Sequence, residues 1–219
     1  MPRLLFEKKG NAVWISHLDL MRVFQRAFKR AALPLKHTQG FNPRPSVSMA
    51  LPLSVGIESG CELMDFDLDC ENVNWDSLPD LLNSVLIEGV HVLKVYHDGR
   101  KIRDLALMKS TVTLEYDNGV PIDAVEAISS LLSRPALLVT KKTKSGPTEQ
   151  DITPMIRSFK VHPAGENRIV IDLLHCCQNP TLNPMQIPAA ITKYLPEFTP
   201  DFCSCKRMEI YDGNETVFR

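Results

Sequence analysis

No apolar run in this 219-residue chain approaches 18 residues, which excludes a transmembrane helix. The segment from Met1 to Trp14 is broken by Arg3, Glu7, Lys8 and Lys9, so it lacks the apolar core of a secretory signal. Net charge is also missing: 25 Lys and Arg stand against 26 Asp and Glu, and no overall field recruits an acidic or basic partner. The phosphate loop of P-loop enzymes, GxGxxG and HExxH are absent. So is the GxSxG nucleophile elbow. Neither CxxC nor three cysteines spaced for an iron–sulfur cluster occurs. These absences argue against a familiar self-contained catalytic centre. They lead to the expectation of a cytoplasmic protein with no cofactor of its own, its six cysteines reduced.

What is present describes an ordinary globular chain, with 44% apolar and 23% charged residues. A chain of this length can bury roughly 70% of its unfolded surface and needs no disulfide or metal to stay folded. The neutral total hides a polarity. Residues 1–50 carry nine Lys and Arg against two acids, an excess of seven positive charges. Residues 51–95 carry nine acids against one base, an excess of eight negative charges. Such asymmetry marks either an anion-binding surface or two segments that neutralise each other across the fold.

Periodicity supplies the elements. Arg3–Lys8 reads as a strand, and Ser16 stands as N-cap before Leu20, Phe24, Ala27, Phe28 and Ala31 at helical spacing. Pro34 ends that helix. Lys36–Pro45 is a loop punctuated by Gly40 and two prolines. Val47–Leu51 and Met64–Leu68 alternate as strands, Trp75–Val85 is helical, and Val90–Val95 is a strand. This order, β-α-β-β-α-β, is that of the split βαβ or ferredoxin-like unit. It then recurs, with strands at Val112–Tyr116, Leu137–Lys142 and Ile169–Leu173, helices opening at Pro121 and Pro188, and a closing strand at Cys203–Tyr211. The expected fold is therefore α+β, two tandem ferredoxin-like halves with antiparallel sheets. The halves span 1–100 and 101–219, the second with an insertion near 144–166.

The densest chemistry lies in the first third. His17 opens the helix and is a candidate acid/base group. Arg22, Arg26, Lys29 and Arg30 follow on its polar face, and Lys36, His37, Asn42 and Arg44 lie in the loop after it. Such side chains suit phosphate recognition, and an exposed Phe41 would stack on a base. The competing reading is a solvated helix face. Asp65, Asp67 and Asp69 would hold Mg²⁺ in one reading and pair structurally with the basic helix in the other, favoured one. His175, Cys177, Cys203 and Cys205 form a ligand set only if their two strands lie side by side; the spacing preferred by structural zinc is absent.

The segments ISHLDLMRVFQRAFKRAALPL (15–35) and GFNPRPSVSMALPLSVGIESGCE (40–62), with the Asp65–Asp69 strand, resemble the radical-SAM-linked protein family, a domain of unknown function. The matching positions are Ser16, His17, Leu18, Asp19, Arg22, Arg26, Arg30, Gly40, Phe41, Asn42, Pro43 and Ser48. Members often carry His where this chain has Arg44. They occur fused to, or encoded beside, a cobalamin-binding-type radical SAM protein. The resemblance implies that partnership, and the family's frequent gene neighbours, ribonuclease E/G-type and ribosomal proteins, point to RNA. The expectation is an accessory module without its own catalytic centre, binding substrate, RNA by preference, for a radical SAM enzyme and not associated with a membrane. The alternatives are a metal-independent endoribonuclease with His17 as acid/base, or a pure protein-interaction scaffold.

Overall fold

Phe6, Phe24, Phe28 and Phe66 are fully buried together, and around them the N-terminal part of the chain is built. The computed structural model describes residues 1–70, 73–143 and 146–219. The chain divides into two units, Met1–Asp104 with Val217–Arg219, and Leu105–Thr216.

The first unit runs β1 (Arg3–Lys8), α1 (His17–Arg30), β2 (Val47–Met49), β3 (Glu58–Phe66), α2 (Leu78–Asn83) and β4 (Val90–Tyr96). Its strands lie in the order β4–β1–β3–β2, every neighbouring pair antiparallel. Strand alternation places Leu4, Phe6, Met64, Phe66, Val90 and Val92 in one apolar cluster. Leu20, Phe24, Ala27 and Phe28 of α1 and Leu78 and Leu82 of α2 join it, because helical spacing gives each helix one apolar stripe. Phe6 and Phe24 meet edge to face at 4.7 Å, and Phe28 and Phe66 at 5.1 Å. Burying one such ring stabilises the unit by about 1.5–3 kcal/mol.

The opposite alternation carries polar residues. Arg3 faces Asp65 across the β1–β3 pair and donates through Nε at 2.6 Å and Nη2 at 3.0 Å. Its guanidinium also lies 5.4 Å from the Phe218 ring centre, and that of Arg100 lies 5.1 Å from the same ring. Phe218 is fully buried there, which explains why residues 217–219 belong with the first unit. Asp67 pairs with Lys36 at 3.4 Å. Among the described residues, the expected pairing of the acidic row with the arginines of α1 therefore does not form: register sends Asp65 to Arg3, and Arg22 is bonded to Asp19 on its own helix.

The second unit runs β5 (Leu105–Glu115), α3 (Ala124–Leu132), β6 (Leu138–Thr143), β7 (Gly146–Asp151), β8 (Ile156–Pro163), β9 (Arg168–Cys176), α4 (Gln186–Tyr194) and β10 (Phe202–Asp212). Four strands form an antiparallel sheet in the order β10–β5–β9–β8, and β6 pairs with β7 in a separate two-stranded sheet. The mixture of helix and antiparallel strand agrees with the sequence. The place of the insertion differs. Residues 144 and 145 of the expected insertion lie outside the described residues, but β8, within that stretch, is a strand of the main sheet. The expected strand Leu137–Lys142 instead falls largely in β6, which pairs with β7 outside that sheet. Composition sets β8, with Ile156, Phe159 and Val161, apart from β7 (GPTEQD) but not from the apolar start of β6, so packing decides that exchange. Among the described residues, no helix is long and apolar enough to cross a membrane.

Candidate functional site

The start of α1 is fixed from beneath. The buried Lys8 ammonium donates to the carbonyl oxygens of Val13 at 3.2 Å and Ile15 at 2.9 Å, holding the turn Gly10–Trp14 that feeds the helix. A Cβ at Gly89 would run into the Lys9 carbonyl oxygen, so this close approach requires glycine. Ser16 Oγ accepts from the Asp19 amide at 3.2 Å and closes the N-terminus. The Ser16 hydroxyl and then the Arg22 guanidinium hold the Asp19 carboxyl below the usual carboxylate range.

The other end of α1 turns sharply. Leu33 N–H donates to the Phe28 carbonyl at 2.9 Å, with Ala32 left-handed at φ 55°. That 6→1 bond is a Schellman closure with alanine where glycine is usual. It aims Leu33, Pro34 and Leu35 back under the helix. Between them and the polar face of α1 lies a cavity of about 840 Å³. Phe28, Leu33, Pro34 and Leu35 give it apolar lining, while Arg22, Arg26, Lys29 and His37 bring basic groups to it. Among the described residues, Arg26, Lys29 and Arg30 form no ion pair. The cavity thus combines apolar surface with cations of which Arg26 and Lys29 are in no ion pair among the described residues, a composition suited to an anion that carries an apolar or aromatic body.

The loop after α1 is a finger rising from this cavity. His37 and Pro45, which both line it, form a β-bridge at the finger's base. Thr38 N–H donates to the Arg44 carbonyl at 2.8 Å, and Arg44 N–H to Thr38 Oγ1 at 3.0 Å. Below them Ser46 N–H donates to the Lys36 carbonyl, Lys36 N–H to the Asp67 carbonyl, and Asp67 N–H to the Ser46 carbonyl. Thr38 to Arg44 are exposed throughout, and Phe41 at the tip is completely so.

The residues expected from the sequence therefore separate. Arg22, Arg26, Lys29 and His37 come together at the cavity. Phe41, Asn42 and Arg44 stand on the finger, exposed. Arg30 is exposed on α1 but is not part of the lining, and Lys36 is engaged by Asp67. His17, in the first turn, is half-buried, its Nδ1 has no hydrogen-bond partner among the described residues, and it does not line the cavity. The apolar lining at Leu33, Pro34 and Leu35 has no signal in the sequence beyond Pro34, which ends the helix without showing where the chain turns.

His175, Cys177, Cys203 and Cys205 do not assemble. β5 lies between β9 and β10, so the two strands are not neighbours. His175 is bonded to Ser110 at 2.9 Å, and burial pushes the Cys177 and Cys205 thiols up to about 12. Among the described residues, no three His, Cys, Asp or Glu side chains are placed to hold a metal ion.

Residues 2–184 match the model of a family described as an uncharacterized protein conserved in bacteria (DUF2344). No curated protein matches the chain. Among solved structures, one chain of a Cbf5–Nop10–Gar1 complex is similar over 95% of the present chain, with a TM-score of 0.53 and 7% sequence identity. The present chain spans 48% of that one, about half its length, and at this identity the likeness is one of fold alone. An unknown protein from Galdieria sulphuraria aligns over 94% of this chain and 96% of its own at 13% identity, with a TM-score of 0.27.

Proposed function

The chain belongs to the bacterial family DUF2344, and we propose that it is an RNA-binding accessory module without a catalytic centre or cofactor of its own. It works in the cytoplasm, presenting substrate to a radical SAM enzyme. One observation carries the RNA-binding part: the cavity on α1 gathers Arg22, Arg26, Lys29 and His37 over an apolar lining, with Arg26 and Lys29 unpaired among the described residues. Phosphates neutralise such a surface, and basic side chains dominate the affinity of nucleic-acid binders. The radical SAM partnership rests on the resemblance carried by residues 15–35 and 40–62.

The same reading takes the two units as ferredoxin-like halves in tandem. With the β6–β7 hairpin set aside, each unit runs β-α-β-β-α-β, and each sheet orders its strands fourth, first, third, second.

The test is fluorescence anisotropy of labelled RNA pools against the purified chain. Binding without cleavage, with log affinity falling linearly in log salt, is the expected result. Indifference to every polyanion tried overturns RNA binding. Cleavage abolished by His17→Ala replaces the accessory module with an endoribonuclease. Co-purification with a radical SAM protein from the same cells tests the partnership separately.

A further inference from the structure

Phe41 is completely exposed, yet it does not sit on loose chain. The finger that carries it is pinned by the His37–Pro45 bridge and by the two Thr38–Arg44 hydrogen bonds. Leaving a phenyl ring in water forgoes the gain of burying it. An exposed aromatic ring on a braced support is the form taken by stacking platforms for unpaired bases. The finger's location adds a second observation. Its two base residues, His37 and Pro45, belong to the cavity lining that also holds Arg22, Arg26 and Lys29. Phe41 is only four positions from either of them, a reach of at most about 14 Å at ~3.5 Å per residue.

Resting on the RNA-binding reading, we infer that the site selects single-stranded RNA, with one unpaired base stacked on Phe41 and the adjoining phosphates held by Arg22, Arg26 and Lys29 at the cavity. A base in a duplex has both faces covered by its neighbours and offers none to the ring. A single strand offers a π-face on any base, so the selection is for unpaired structure and not for sequence. Arg44, exposed beside the tip, supplies a further cation to the strand.

The experiment titrates the full chain with a fluorescein-labelled single-stranded RNA 12-mer and with the duplex of the same sequence. A second single strand carries 2-aminopurine to report stacking. The single strand is expected to bind at least about tenfold tighter than the duplex, with 2-aminopurine emission quenched on binding. Phe41→Ala is expected to weaken single-strand binding about 5- to 150-fold, the range for one lost stacked base, and to abolish the quenching. Phe41→Trp should retain both, and Phe41→Leu neither. Because the ring touches nothing it must support, all three variants should melt with the wild type. Equal affinity for single strand and duplex, or unchanged binding by Phe41→Ala, overturns the inference and leaves the RNA-binding reading standing. Absence of any RNA binding by the wild type defeats that reading itself. Binding of Phe41-dependent type to anionic lipid vesicles, with none to RNA, also overturns the inference.

Discussion

Ser110 Oγ lies 2.9 Å from His175 Nε2 in the core of the second unit, and both residues are fully buried. Burial, followed by the nearby Arg207 charge, pushes the imidazole down to about 4, so the ring is neutral at physiological pH. With its Nδ1 3.1 Å from the Cys176 carbonyl, that nitrogen carries the single proton and donates it. Nε2 then accepts from the Ser110 hydroxyl. The unfolded chain protonates His175 near 6.5. Stability is therefore full above that pH, falls as pH drops from 6.5 towards 4, and levels off below. The loss amounts to about 3 kcal/mol. Urea unfolding at pH 7.5 and pH 5, with His175→Asn as the control that removes the slope, checks this. Ser110→Ala leaves Nε2 without its donor and should cost about 1–3 kcal/mol at pH 7.5.

The Arg3–Asp65 pair should resist single substitution poorly. Arg3 is 2% exposed, and its charge has no route to water once the carboxylate is gone. Asp65→Ala is expected to destabilise the first unit by about 3–5 kcal/mol. The double variant Arg3→Met with Asp65→Leu should recover most of that, since no buried charge is then stranded. Equilibrium denaturation of the wild type and the two variants gives the comparison.

Ala32 holds a left-handed conformation that glycine adopts freely. Ala32→Gly is expected to stabilise the chain by about 1 kcal/mol, net of the glycine's extra freedom when unfolded. At this chain length the shift in Tm is about 2–4 °C upward, readable by calorimetry.

Arg26 borders the cavity and has no ion-pair partner among the described residues. Arg26→Ala should weaken RNA binding and lower the slope of log affinity against log salt by about one unit. Its stability should stay within about 0.5 kcal/mol of the wild type, as for an exposed helix position. Titrations at four salt concentrations, with melting curves alongside, separate the two effects.

Local pattern carried the elements and little of their adjacency. The spacing of Leu20, Phe24, Ala27 and Phe28 is visible in the chain, and these are the residues α1 buries. The alternation Met64, Phe66, Leu68 is equally plain, and all three are buried. What pairs with Asp65 is not readable, because the register of β1 on β3 joins residues 62 positions apart. The same gap misplaced the strand content of 137–166: two apolar stretches compete for one place in the sheet, and only packing decides between them. The basic half of the site was readable as charge on one helix face. Its apolar lining was not, since it depends on Ala32 taking a backbone conformation that alanine disfavours.

Phe218, buried with the Arg3 and Arg100 guanidinium groups close to its ring, bears on the order of synthesis. The first unit ends at Asp104 and resumes only at Val217. On the ribosome, Arg3 and Asp65 emerge long before the ring that covers them. At about 5–20 residues per second, the wait from Asp65 to Phe218 is roughly 8–30 s. During that interval the N-terminal unit stands as an unfinished body with a charged pair uncovered. Its closing step follows synthesis of the second unit, so nascent-chain maturation of the first unit waits on Val217–Arg219.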